Sequence, residues 1–197
     1  MISAVASGIV EILIRHDIIK IQQASVYQYG LEILISSMLT CCITVMSGLL
    51  FHCLAASLLY FLMFAVLRSI CGGYHAKTYW QCNLVFTLVT AVVLVFFKWM
   101  PIEQFTELHY CSIAIAIFTT VTCAPVENDN KPLTGKQKKR FRVLGSVMVV
   151  LLALISCLLN LYYQSSYSVL IDMTLLAVSI SALVTELSRG GDKRWSK

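Results

Sequence analysis

The sequence predicts an all-α, polytopic membrane helix bundle of about six transmembrane helices, preceded by an N-terminal interfacial amphipathic helix. Three observations carry this. Of the 197 residues, 58% are hydrophobic and only 13% charged, with a mean hydropathy of +0.80, against roughly 25% charged residues in an ordinary soluble domain. The apolar residues gather in runs close to the roughly twenty that a helix needs to cross the hydrocarbon. The Lys and Arg residues gather between those runs. A chain this short holds one bundle, so residues 1–197 are expected to form a single integral membrane domain with no separate soluble unit.

Within residues 1–24, Ser3, Ser7, Glu11, Arg15 and Lys20 recur at near-helical spacing, while Ile2, Val5, Ile9, Ile12, Leu13, Ile18 and Ile19 cover the remaining surface. Such a helix suits the membrane interface; an ordinary first helix packed on the bundle is the alternative. No basic residue precedes a uniform apolar core and no small-residue cleavage site follows, so a signal peptide is not expected. Six spans are drawn at 31–48, 50–67, 83–100, 107–124, 143–162 and 168–187. The first two are so close that their turn is placed near Ser47 and Gly48.

Orientation follows from the basic residues, which cytoplasmic loops retain. With both termini inside, the cytoplasmic segments hold Arg15, Lys20, Arg68, Lys77, Lys131, Lys136, Lys138, Lys139, Arg140, Arg142, Arg189, Lys193, Arg194 and Lys197, and only Lys98 falls outside. Removing one helix would scatter these residues over both faces. Because they sit at the ends of apolar runs, topology accounts for the net charge of +5, and a nucleic-acid partner is not expected. Most of the eight cysteines (Cys41, Cys42, Cys53, Cys111, Cys123 and Cys157) lie inside apolar runs, where a free Cys behaves as a small hydrophobe. No CxxC or Cys/His pair has structural-metal spacing, so no metal or other cofactor is expected.

Residues 68–82 form a polar, glycine-broken island between two apolar runs, on the expected cytoplasmic side. It carries Cys71, Gly72, Gly73, His75 and Cys82. A thiol becomes a strong nucleophile when a base or cation shifts it toward the thiolate, which makes Cys82 the candidate nucleophile and His75 the candidate base. Cys71, four residues from His75, is the rival nucleophile. Seven residues of straight helix separate His75 and Cys82 by about 10.5 Å along the axis, too far for a base to reach its nucleophile. The backbone from about Gly72 to Tyr79 must therefore leave the helix, as the conformational freedom of Gly72 and Gly73 allows. A surface loop with an incidental His and a buried Cys is the bland alternative. No nearby Asp or Glu orients His75; Gln81 and Asn83 are the available polar partners. His16, His52 and His109 are less useful, lying on the first helix and near the outer ends of spans. Asp172, within the sixth span, either lines an internal polar cavity or sits near the outer headgroups; at mid-membrane its charge would cost about 2.5–3.5 kcal/mol.

Arg68 followed by Gly72-Gly73-Tyr74-His75-Ala76-Lys77 and Cys82, together with Ala124-Pro125-Val126-Glu127-Asn128 and Asn130-Lys131-Pro132-Leu133 before a basic run, resembles the accessory gene regulator protein B (AgrB) family of quorum-sensing processing endopeptidases. The likeness spans nearly the whole chain in segment order and loop character. It implies a catalytic His75 and Cys82, with Arg68 lending charge support, Gly73 backbone shape beside Gly72, and Lys77 a basic or polar position. It further implies cleavage of a short AgrD-type precursor peptide and cyclisation of the remainder to a thiolactone or lactone. The expected location is the bacterial cell membrane, multi-pass, with the site cytoplasmic. Within the basic cytoplasmic loop 125–142, the run Lys136 to Arg142 would attract the precursor's acidic tail or anionic lipid, or serve topology alone. A homodimer is left open. The rival reading is a non-enzymatic peptide exporter or scaffold.

Overall fold

The computed structural model describes residues 2–72, 78–126 and 134–195. Apart from short turns and connections these are helical, and no strand occurs among them. Helix α1 (Ile2–Arg15) buries Ala6 and Val10, leaves Val5 and Ile12 outward, and packs on α2. It ends where Asp17 takes φ 54°, with Ile18 N–H donating to Leu13 O and Asp17 N–H to Ile14 O. That paired return satisfies the last carbonyls of a helix. After a single 3-10 turn at Ile21–Gln23 come α2 (Ala24–Leu50), α3 (Leu54–Cys71), α4 (Tyr79–Trp99), α5 (Ile102–Cys123), α6 (Gly135–Leu158) and α7 (Ser166–Trp195).

The protein is a membrane protein. Five stretches, Ile21–Leu50, Leu54–Cys71, Tyr79–Trp99, Gly135–Tyr163 and Ser166–Leu187, are long and apolar enough to span, and α5 adds the shorter apolar run Glu107–Cys123. Helix α4 carries its own ruler. Trp80 and Trp99 are exposed near its two ends, and the residues between them cover about 28 Å at 1.5 Å each, which matches the hydrocarbon core flanked by interfacial aromatics.

The outward faces are apolar, with Leu62, Leu84, Leu88, Val92, Phe118, Val147, Leu151 and Leu154 all exposed, while Thr44, Ser57, Thr90, Ser112, Thr119, Ser156, Asp172 and Thr174 are buried between helices. Lipid is as apolar as Leu, so helices in a bilayer associate through close packing and interhelical hydrogen bonds. Helix α2 follows this rule along its length: Gln28, Glu32, Ser36, Thr40, Thr44 and Gly48 recur every fourth residue and form its covered face. Tyr79 of α4 donates to Glu32 Oε2 at 3.0 Å, Asn83 of α4 meets Ser36 and Thr40, and Ser57 of α3 donates to Thr44 O at 2.7 Å. Helix α7 sits centrally, packed against α3, α4, α5 and α6.

Two expectations are corrected in detail. The α2–α3 turn lies at Phe51–Cys53, where His52 has φ 54°, and not at Ser47–Gly48. Gly48 is helical and allows close approach instead: a Cβ there would lie 2.8 Å from Ser57 Cβ and 2.9 Å from Leu54 Cα. Residues 135–142, drawn as part of a basic loop, form the first turns of α6, opened by a capping box in which Thr134 Oγ1 accepts from Gln137 N–H and Gln137 Oε1 from Thr134 N–H. Lys98, the exceptional basic residue, donates to Phe51 O at 2.7 Å and lies over the Trp99 ring, tying the end of α4 to the α2–α3 corner.

Gly48→Ala should lower the thermal unfolding midpoint in detergent, through an overpacking cost of about 1–3 kcal/mol. Gly30→Ala, at a site with nothing within 4 Å, should leave the midpoint unchanged. Equal midpoints for the two variants would remove the close-packing argument.

Candidate functional site

The island is a break between two helices. Helix α3 stops at Cys71; Gly72 takes φ 76°, ψ −166°; Thr78 is extended, and α4 begins at Tyr79. Gly72 and Thr78, the described residues at the two ends of the segment expected to leave the helix, are both non-helical. Gly73, His75 and Lys77 lie outside the described residues, and with them the His75–Cys82 separation.

Gly72 is required for two reasons. Its φ lies in the left-handed region that favours glycine, and a Cβ would run into the Val126 backbone, clashing with Val126 O and lying 3.1 Å from both Val126 C and Val126 N. Val126 N–H donates to Cys71 O at 2.9 Å, and Arg142 Nε of α6 donates to Ala124 O at 3.0 Å. The Ala124-Pro125-Val126 segment is therefore a backbone clasp that holds the end of α3. Glu127, Asn128, Asn130, Lys131, Pro132 and Leu133 lie outside the described residues.

Cys82 stands in the first turn of α4. Thr78 caps that helix, its Oγ1 accepting from Gln81 N–H at 3.3 Å and its carbonyl from Cys82 N–H at 3.1 Å. A helix N-terminus carries about half a positive charge. Arg68 adds a full one, with Nη2 donating to Cys82 Sγ at 3.9 Å while its guanidinium lies 5.7 Å from the Phe64 ring centroid. Both place positive charge beside the sulfur. Arg68 and Cys82, fourteen positions apart in sequence, are brought together from α3 and α4.

Cys71, the rival nucleophile, is 2% exposed, with Sγ 3.1 Å from where a Cβ on Gly145 of α6 would stand; it fills a helix contact. Of the remaining thiols, Cys53 is held at the α2–α3 turn, where burial pushes its pKa up against the opposing pull of Lys98. All eight cysteines are free, and no group of three or more His, Cys, Asp or Glu side chains able to hold a metal occurs among the described residues.

Asn83, following Cys82, is 4% exposed; its Oδ1 faces the Ser36 and Thr40 hydroxyls at 3.4 Å each, and Nδ2 has no partner. The polar seam of α2 that holds it was not singled out from the sequence, although its four-residue recurrence was a readable signal. A second polar cluster lies apart from the island. Asp172 of α7 is 0% exposed, accepts from Ser156 Oγ of α6 at 2.7 Å and pairs with His109 Nδ1 of α5 at 2.6 Å. Asp172 therefore sits in an internal polar cluster that joins α5, α6 and α7.

Variants retaining only Cys82 or only Cys71 should separate under a water-soluble maleimide, with Cys82 labelled and Cys71 spared, as read by mass shift. In the Cys82-only background Arg68→Gln should slow labelling severalfold. Equal labelling of both thiols would contradict the packing at Gly145.

The family model described as accessory gene regulator B matches residues 6–182. AgrB-like protein 2 of Clostridium perfringens is 25% identical over 154 residues, covering 75% of this chain and 72% of its own length. An AgrB-like protein of Clostridium beijerinckii is 24% identical over 174 residues, covering 88% and 82%. The accessory gene regulator protein B of Staphylococcus intermedius is 23% identical over 154 residues, covering 76% and 80%. No solved structure matches significantly. With a match that runs through the clasp, the helix break and both helices that hold Arg68 and Cys82, the chain belongs to the accessory gene regulator B (AgrB) family.

Proposed function

We propose that this protein is a membrane cysteine endopeptidase that removes the C-terminal tail of an AgrD-type precursor peptide and promotes closure of the remainder to a thiolactone or lactone. Family membership supports a role in the agr quorum-sensing system. The observation that carries the chemistry is the Arg68 guanidinium 3.9 Å from a partly exposed Cys82 at a helix N-terminus, while Cys71 is packed away. The exporter or scaffold reading has no use for that placement.

In the proposed reaction His75 takes the Cys82 proton and the sulfur attacks the scissile carbonyl carbon. The C–N bond breaks, the amine leaves with a proton returned by His75, and a thioester remains on Cys82. A Cys or Ser side chain within the precursor then adds to the thioester carbonyl, and the Cys82 sulfur leaves with the ring closed. Thioester and thiolactone are near energy balance, so water must be kept out for cyclisation to compete with hydrolysis. Cys82 lies two residues inside Trp80, at the membrane boundary, where an amphipathic precursor lying on the surface can present its scissile bond. The basic first turns of α6 suit an acidic leaving segment. They are unfavourable at a helix N-terminus by tenths of a kcal/mol each, which argues for a demand outside the helix itself.

Co-expression with a precursor should show processing lost in Cys82→Ala and His75→Ala and retained in Cys71→Ala; loss in Cys71→Ala alone would exchange the nucleophiles. The cytoplasmic orientation is tested separately. Reporter fusions after Arg142 and after Lys197 should read cytoplasm and one near Gln104 the opposite side, and an external signal at either basic site would move the proposed active site to the other face.

A further inference from the structure

Attack by Cys82 on a peptide carbonyl turns the carbonyl oxygen into an oxyanion, and the site must supply donors for it. Three of the backbone donors nearby are engaged. Gly72 N–H donates to Arg68 O at 3.0 Å, Gln81 N–H to Thr78 Oγ1 at 3.3 Å and Cys82 N–H to Thr78 O at 3.1 Å. Among the described residues two buried side-chain donors lack a hydrogen-bond partner, the Tyr60 hydroxyl and Asn83 Nδ2. Tyr60 lies eight residues before Arg68 on α3, about 12 Å deeper along the axis, beside Thr90. Asn83 is the residue next to the nucleophile.

Building on the endopeptidase reading, we propose that the Asn83 carboxamide is a further catalytic residue, its Nδ2 donating to the scissile carbonyl oxygen as the Cys82 sulfur adds to the carbon. The arrangement commits the amide to this. The Ser36 hydroxyl of α2 meets Oδ1 at 3.4 Å, while the Thr40 hydroxyl, whose one proton goes to Ser36 O at 2.8 Å, stands beside it, and the buried atom left without a partner is the donor Nδ2. A buried amide N–H without a partner costs about 1–3 kcal/mol, a cost that a bound carbonyl removes. Cys82 and Asn83 have Cα atoms about 3.8 Å apart, and both Cα–Cβ bonds tilt toward the N-terminus of α4, the open end where the island lies. As the S–C bond forms, the carbonyl π pair moves onto oxygen and the Asn83 N–H bond to it shortens. When the C–N bond breaks, the pair returns and the amine carries away the proton held by His75. The polar seam of α2 then acquires a role beyond helix association: it sets which edge of the Asn83 amide faces the substrate.

The test uses the full chain in lipid nanodiscs, a synthetic AgrD-type precursor peptide, and the peptide aldehyde and peptide alcohol ending at the scissile residue. The aldehyde adds the Cys82 sulfur to give a hemithioacetal whose oxygen stands where the oxyanion would. Asn83→Ala and the near-isosteric Asn83→Asp should each slow single-turnover cleavage about 100-fold or more, with KM changed by less than about threefold. Aldehyde inhibition should weaken in parallel while alcohol binding holds, and Cys82 alkylation by iodoacetamide should stay within about twofold of the unsubstituted rate. Cleavage by both variants within about threefold of the unsubstituted chain would overturn the inference, as would a parallel fall in cleavage and alkylation, which places the effect on the thiol or the fold. Absence of Cys82-dependent cleavage in the unsubstituted chain would instead overturn the endopeptidase reading. Cys82-dependent cleavage indifferent to Asn83 would sink this inference alone.

Discussion

The architecture depends on a constraint peculiar to lipid: helices gain nothing by hiding apolar side chains from a solvent that is itself apolar. Specific polar contacts and close approaches must hold the bundle together. The joint at Asp172 is the densest instance, because one carboxylate receives Ser156 from α6 and His109 from α5 while its own helix, α7, touches four others. Removing one partner would leave a polar group stranded in a low-dielectric interior, a situation that costs far more than the bond itself contributes. The close approaches at Gly48 and Gly145 serve the same end through shape.

Against that rigid background the functional island is a deliberate interruption. Helix α3 is stopped at Cys71 by a glycine that the Val126 backbone covers, and α4 restarts under a threonine cap. The interruption turns an axial problem into a lateral one: groups that a continuous helix would string out along its length can meet across the gap. Arg68 on the last turn of one helix and Cys82 on the first turn of the next are the described example. The clasp explains why the motif Ala124-Pro125-Val126 accompanies the island in this chain. Its peptide groups bond to Cys71 on one side and to Arg142 on the other, so α3, α5 and α6 are braced at one level.

The helices were legible because apolar run length and basic punctuation are one-dimensional signals, and Cys82 and Arg68 stood out as polar chemistry in an apolar chain. What was hidden depends on pairing. Gly48 carries the same letter whether it turns the chain or admits a neighbour, and only the position of Ser57 decides. The contact between Gly72 and Val126 joins residues more than fifty positions apart with no covalent hint. Asp172 was ambiguous for the same reason, since its partners come from two other helices. Two signals were present in the sequence: Thr134-Gly135-Lys136-Gln137 fits a capping box that begins α6 inside the basic run, and the polar recurrence from Gln28 to Gly48 marks the covered side of α2.

That recurrence has a consequence for how the protein is made. Glu32 and Ser36 find their partners Tyr79 and Asn83 47 residues later in the chain. At 5–20 residues per second, about 2–9 s pass between synthesis of the two halves of this seam. During that interval α2 is in or beside the bilayer with a carboxylate and a row of hydroxyls unmatched. The first span therefore reaches its final set of contacts only once α4 has been made, and until then α1 and α3 are the neighbours that pack against it.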